Sequence, residues 1–73
     1  VDDRKRQKIL DQFGKKVREA REKRGLSTRG LADLADIDYA NFNRIENGLR
    51  EPKLSMIITI ANALGVDPSD LLK

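Results

Sequence analysis

Between positions 39 and 47 the sequence places Tyr39, Ala40, Asn43, Arg44 and Asn47 where one side of a helix can gather them. At about 100° per residue these side chains turn one way, while Phe42 and Ile45 turn the other with Glu46 at the edge of their face. The outward side then carries carboxamides, a guanidinium, a phenol and a methyl group, but no acid. Asn and Arg offer the forked hydrogen-bonding geometry that matches adenine and guanine edges in a major groove. An ordinary solvated helix face is the plainer alternative, and these residues alone leave both open.

Composition removes most other chemistry. The chain has no Cys and no His. A disulfide framework, a typical zinc site and a Ser-His-Asp triad are therefore excluded. Carboxylates are plentiful, yet none converges with a nucleophile in the sequence, and no Gly-rich phosphate loop is present. The chain is read as a non-enzyme, with no metal, no cofactor and no small-molecule ligand implied. The apolar run around Met56, Ile57 and Ile58 falls far short of the roughly 18 residues of a membrane span. A cytoplasmic protein with no membrane partner is the expectation. A chain opening on Val1 also reads as trimmed from something longer.

Charge is unevenly spread. The net charge is +3, and residues 1–24 hold ten Lys or Arg against five acids, whereas residues 25–73 hold five against seven. A basic end of this kind suits nucleic acid, but it equally suits a solvated helix of mixed charge.

The elements that must position the 39–47 face follow from apolar spacing and punctuation. At 73 residues the chain can bury one modest core. Ile9, Phe13, Val17 and Ala20 line one face of a first helix that Gly25 ends. Asp2 to Lys8 is polar all round and is expected to fray. Ser27 is an N-cap candidate for a second helix over 28–35, with Leu31, Leu34 and Ala35 as its apolar stripe. Asp38 caps a third helix reaching Asn47, where Gly48 stops it. A fourth runs from Leu54 to Leu64 and is closed by Gly65. Asp67 and Pro68 start a short fifth helix containing Leu71 and Leu72. The expectation is an all-α, five-helix domain with a helix-turn-helix formed by helices 2 and 3. Residues 1–12 are expected to be a basic N-terminal extension of helix 1, and residues 13–73 the domain itself.

Five blocks make this outline specific. They are Arg21-Glu22-Lys23-Arg24-Gly25-Leu26-Ser27, Leu31-Ala32, Ile45-Glu46-Asn47-Gly48, Pro52, and Ala61-Asn62-Ala63-Leu64 with Gly65-Val66. In this order and spacing they resemble the Cro/phage-repressor-like (XRE) helix-turn-helix family over nearly the whole chain. The resemblance implies a repressor-like DNA-binding domain with its recognition helix in the major groove. It places base contacts on Tyr39, Ala40, Asn43 and Arg44, and phosphate contacts on Thr28 and Asn47. Arg21 and Glu46 match a paired Arg and Glu that links the first helix to the recognition helix. Arg29, Arg50 and Lys53 are the nearest further candidates for phosphate.

Three positions depart from the family pattern. Gly30 stands where a Glu would complete a capping box with Ser27, which costs about 1 kcal/mol of helix propensity. Asp36 replaces the turn Gly, and Asp tolerates positive φ better than most residues. Ala40 offers a base only its methyl group.

The fourth helix carries an apolar arc wider than one core-facing stripe needs. Leu54, Ile57, Ile58, Ala61 and Leu64 form the expected core face, and Met56, Ile60 and Ala63 extend it. Either Ile9, Leu10 and Phe13 cover the surplus, or a second copy does. The favoured expectation is a homodimer with Met56, Ile60, Ala63 and Leu72 in its interface. Such a dimer would bind double-stranded DNA at a pseudo-palindromic operator and regulate transcription. A protein-interaction module on the same fold is the alternative, supported by the acidic balance of residues 25–73.

Overall fold

Short polar side chains start most of the helices. Asp2 accepts from Lys5 N at 2.9 Å, Ser27 from Gly30 N at 2.9 Å, Asp38 from Asn41 N at 3.0 Å and Asp67 from Ser69 N at 2.9 Å. Each satisfies an amide that has no partner inside its helix. In the computed structural model, which describes residues 2–73, the elements they start are α1 (Asp3–Lys23), α2 (Thr28–Leu34), α3 (Tyr39–Glu46) and a 3-10 turn (Pro68–Leu71). The remaining helix, α4 (Leu54–Leu64), follows Lys53 and has no side-chain cap. No strand occurs among the described residues.

The expected count of five helices is corrected to four plus that turn. Asp67 accepts from both the amide and the hydroxyl of Ser69, and Asp70 N and Leu72 N bond back three residues. These i to i+3 bonds are those of a 3-10 turn, which seats Leu71 in the core before the chain ends. The same two Ser69 bonds hold the Asp67 carboxyl below the ordinary carboxylate range. Smaller corrections fall at helix ends, where Ala35 and Asn47 are C-caps of α2 and α3 and not their last helical residues. The expected fraying of Asp2 to Lys8 is replaced by helix from Asp3 onward. Arg6 Nε pairs with Glu51 at 2.9 Å and Gln7 Nε2 donates to Gly48 O at 2.9 Å, which docks that segment on the loop after α3.

One core holds these elements together. Phe13 and Val17 of α1 meet Leu31 and Ala32 of α2, Phe42 and Ile45 of α3, Ile60, Ala61 and Leu64 of α4, and Leu71. Two expectations about its lining fail. Ile9 is 56% exposed and Leu34 is 58% exposed. Ile9 is two spacings of four before Val17, so it has rotated roughly 80° off that residue's direction.

The face of α4 is also corrected. Ile60 is fully buried, so it is a core residue and cannot belong to a dimer interface as expected. Leu54 and Ile58, assigned to the core face, are 70% and 43% exposed. The packed side is Ile60, Ala61 and Leu64, with Met56, Ile57 and Ala63 half-buried against it. α4 is apolar nearly all round, and its neighbours, not its own sequence, choose which side is inward.

Candidate nucleic-acid interface

The roll of α3 is set from its buried side. Phe42 and Ile45 anchor it in the core, and Glu46 is only 5% exposed. A carboxylate so placed needs compensation, since an unpaired buried charge is very costly. Arg21 supplies it: Nε donates to Glu46 Oε2 at 2.8 Å and Nη2 to Oε1 at 3.1 Å, a fork-to-fork pair. The third arm of the guanidinium, Nη1, donates to Leu26 O at 2.7 Å and so fastens the α1–α2 connection. The hydrogen bond to Glu46 raises the Arg21 pKa above its usual value, against the opposing effect of burial.

Two more groups converge on the same carboxylate. Thr28 Oγ1 donates to Oε1 at 3.3 Å, and Arg18 Nε lies 3.7 Å from it. α1, the start of α2 and the end of α3 are thereby joined at one side chain. α1 and α3 approach closely at Gly14, where an added Cβ would overlap the Glu46 carbonyl oxygen.

The turn between α2 and α3 has the shape expected of it. Asp36, the non-glycine turn residue, has φ 56, and Ile37 N donates to Ala32 O at 2.8 Å. Asp is among the residues that enter this region most readily. Gly25, Gly48 and Gly65 all have positive φ, at 70, 73 and 71, where helix closure was expected.

The outward side of α3 carries the sequence-derived site. Tyr39, Ala40, Arg44 and Asn47 are exposed and Asn43 is half-buried. Arg29 lies with its guanidinium carbon 4.3 Å from the centroid of the Tyr39 ring, a cation–π contact that joins the exposed ends of α2 and α3. Asn47 is held firmly: its Nδ2 donates to Asn43 O at 2.8 Å and to Asn43 Oδ1 at 3.3 Å, and its Oδ1 accepts from Arg18 Nη2 at 2.9 Å. Arg50 and Lys53 are exposed on the loop between α3 and α4. Thr28 differs from the rest, because its hydroxyl already serves Glu46 and it is half-buried.

Sequence reasoning missed Arg18 and Gly14 on α1. Arg18 was legible in principle, since it sits three residues before Arg21 and shares its side of the helix. Gly14 gave only a weak signal, as a lone Gly inside an otherwise strong helical pattern. No group of His, Cys, Asp or Glu that could hold a metal occurs among the described residues. No helix there is long and apolar enough to cross a membrane.

Comparison with known proteins agrees with this arrangement. A family model described as a helix-turn-helix domain matches residues 12–72. Control protein C.BamHI of Bacillus amyloliquefaciens is 43% identical over 61 residues, covering 82% of this chain and 75% of that protein. The SPbeta prophage-derived uncharacterized HTH-type transcriptional regulator YonR of Bacillus subtilis is 33% identical, over 84% of this chain and 56% of its own length. The chain thus spans little more than half of that relative. Among solved structures, the restriction-modification controller protein C.AhdI from Aeromonas hydrophila superposes with a TM-score of 0.82 at 37% identity. That match covers 85% of this chain and 94% of that one.

Proposed function

The chain belongs to the helix-turn-helix domain family, in its XRE-like branch, and on that footing we propose that it is a sequence-specific DNA-binding regulator of transcription. The carrying observation is α3 itself, an acid-free outward face on a helix whose roll is fixed by the buried Arg21–Glu46 pair. In this function Tyr39, Ala40, Asn43 and Arg44 face base edges in the major groove. Arg29, Arg50 and Lys53 hold the phosphate backbone on either side, while Asn47, expected at phosphate, gives both of its amide hydrogens to Asn43 and serves to position that residue. Thr28 reaches phosphate through its backbone amide or by releasing Glu46. Its place at the start of α2 supports a contact there, and its inward hydroxyl bond makes it the weakest member of the set.

The regulator acts as a homodimer on a pseudo-palindromic operator with half-sites about 10 bp apart, so that both α3 helices meet one face of the duplex. Exposed apolar side chains support a second copy as partner. Leu54, Ile58 and Leu72 are open to solvent, and Ile9, Leu10, Pro52, Ile57 and Leu72 line a shallow groove of about 360 Å³. Met56 and Ala63 are half-buried and contribute at the margin of such a contact.

Duplex binding measured against salt concentration tests the function. Three exposed cations per subunit, Arg29, Arg50 and Lys53, make about six phosphate contacts in a dimer, for a log–log slope of about −5. A flat response, or no binding at low salt, refutes the proposal and favours a protein-interaction module on this fold.

A further inference from the structure

Arg18, Asn47 and Asn43 form a relay in which every hydrogen bond has a fixed direction. An Arg side chain only donates, so the atom of Asn47 facing Arg18 Nη2 at 2.9 Å must be its carboxamide oxygen. A backbone carbonyl only accepts, so the atom of Asn47 facing Asn43 O at 2.8 Å must be its nitrogen. Two groups of opposite and unalterable sense thus orient the Asn47 amide, which otherwise has two interchangeable ends. That nitrogen also lies 3.3 Å from the Asn43 side chain, so the end of Asn43 turned toward it is the oxygen. The amino end of Asn43 is therefore turned away from Asn47, and it makes no hydrogen bond among the described residues.

We propose that this relay makes Asn43 a reader of guanine, with Arg18 and Asn47 as positioning residues that set the polarity of its amide. The proposal rests on the DNA-binding function given above. An Asn reads adenine by giving N–H to N7 while its oxygen accepts from the N6 amino group. With the oxygen drawn back toward Asn47, the leading group is an NH2 with two donors. Guanine answers it with two acceptors, N7 and O6, whereas adenine sets its own N6 amino group against it. Arg18 lies on α1 and contacts α3 from the side, so a residue outside the recognition helix takes part in choosing the base.

Selection from a random duplex library, followed by affinities for single base-pair variants, tests this. The base pair read by Asn43 is the one whose preference disappears in Asn43→Ala. In the unaltered protein that position is expected to be guanine, preferred over adenine by about tenfold. Asn47→Asp replaces the donor by an acceptor, draws the Asn43 amino group inward and exposes its oxygen. Preference at that position should then move toward adenine or cytosine, which carry donors, by a similar factor. Arg18→Met removes one of the two constraints and should narrow the guanine preference without reversing it. Adenine at that position in the unaltered protein overturns the relay, and this measurement needs no variant of Asn47 to fold. An unchanged preference in Asn47→Asp overturns it as well, and an unchanged one in Arg18→Met removes Arg18 from it. A protein that retains no duplex at all overturns the DNA-binding function itself.

Discussion

Gly14→Ala should lower stability although Ala is the better helix former. The added Cβ would fall inside contact distance of the Glu46 carbonyl oxygen, 2.9 Å from its carbonyl carbon and 3.2 Å from Ile45 O. Carbon contacts relax only near 3.5 Å, so α1 and α3 would have to part by about 1 Å. The obstructing atoms are backbone and cannot rotate aside, which puts the overpacking cost at the upper end, about 3 kcal/mol. Removing Gly from a helix interior returns about 1 kcal/mol. The net loss is about 2 kcal/mol, which for a domain of this size moves the melting midpoint down by roughly 10 °C. Urea melts of Gly14→Ala beside Gln12→Ala, an exposed position on the same helix, measure it directly. Gln12→Ala should change little. Equal or greater stability of Gly14→Ala would show that this glycine does not set the α1–α3 distance.

Glu46→Ala strands the Arg21 charge and should cost on the order of 3 kcal/mol, Arg21→Ala a similar amount, and the double variant less than their sum. Strict additivity in urea melts would contradict a paired strut. Arg44→Ala should lose about 1–3 kcal/mol of binding at one base position, whereas a loss equal on every sequence would reassign it to phosphate. Ile58→Lys with Leu72→Lys should yield a folded monomer with weaker operator binding by analytical ultracentrifugation, and an unaltered dimer would place the interface elsewhere. Asp36→Gly should be tolerated while Asp36→Val costs about 1–2 kcal/mol, because its φ of 56 suits no β-branched side chain. Equal melting temperatures for those two variants would contradict that turn geometry.

Local signals were legible in the sequence and long-range ones were not. Ser27, Asp38 and Asp67 marked element starts correctly because a cap involves only the next few residues. The cap at Asp67 could not say whether α or 3-10 bonding follows, since both begin alike and the seating of Leu71 decides. α3 was read correctly because Phe42 and Ile45 are its large apolar residues and leave one possible roll. α4 was misread because Leu54, Met56, Ile57, Ile58 and Ile60 offer several rolls of similar burial. Resemblance carried the Arg21–Glu46 pair, which is 25 positions apart and invisible to any local rule. The convergence of Thr28 and Arg18 on that same carboxylate, and the contact at Gly14, needed the three-dimensional arrangement.

The junction at Glu46 has a mechanical meaning. Side-chain tips on a helix lie about 5–6 Å from its axis, so a roll of 10° carries a tip sideways by about 1 Å. Recognition of a base edge tolerates only about 0.5 Å. A helix two turns long, held by apolar contacts alone, could roll through that angle while losing little burial. Two hydrogen bonds from Arg21 to one carboxylate resist such torsion, because any roll of α3 lengthens one of them. The buried pair acts as a torque arm, and the accuracy of the exposed face is decided on the opposite side of the helix.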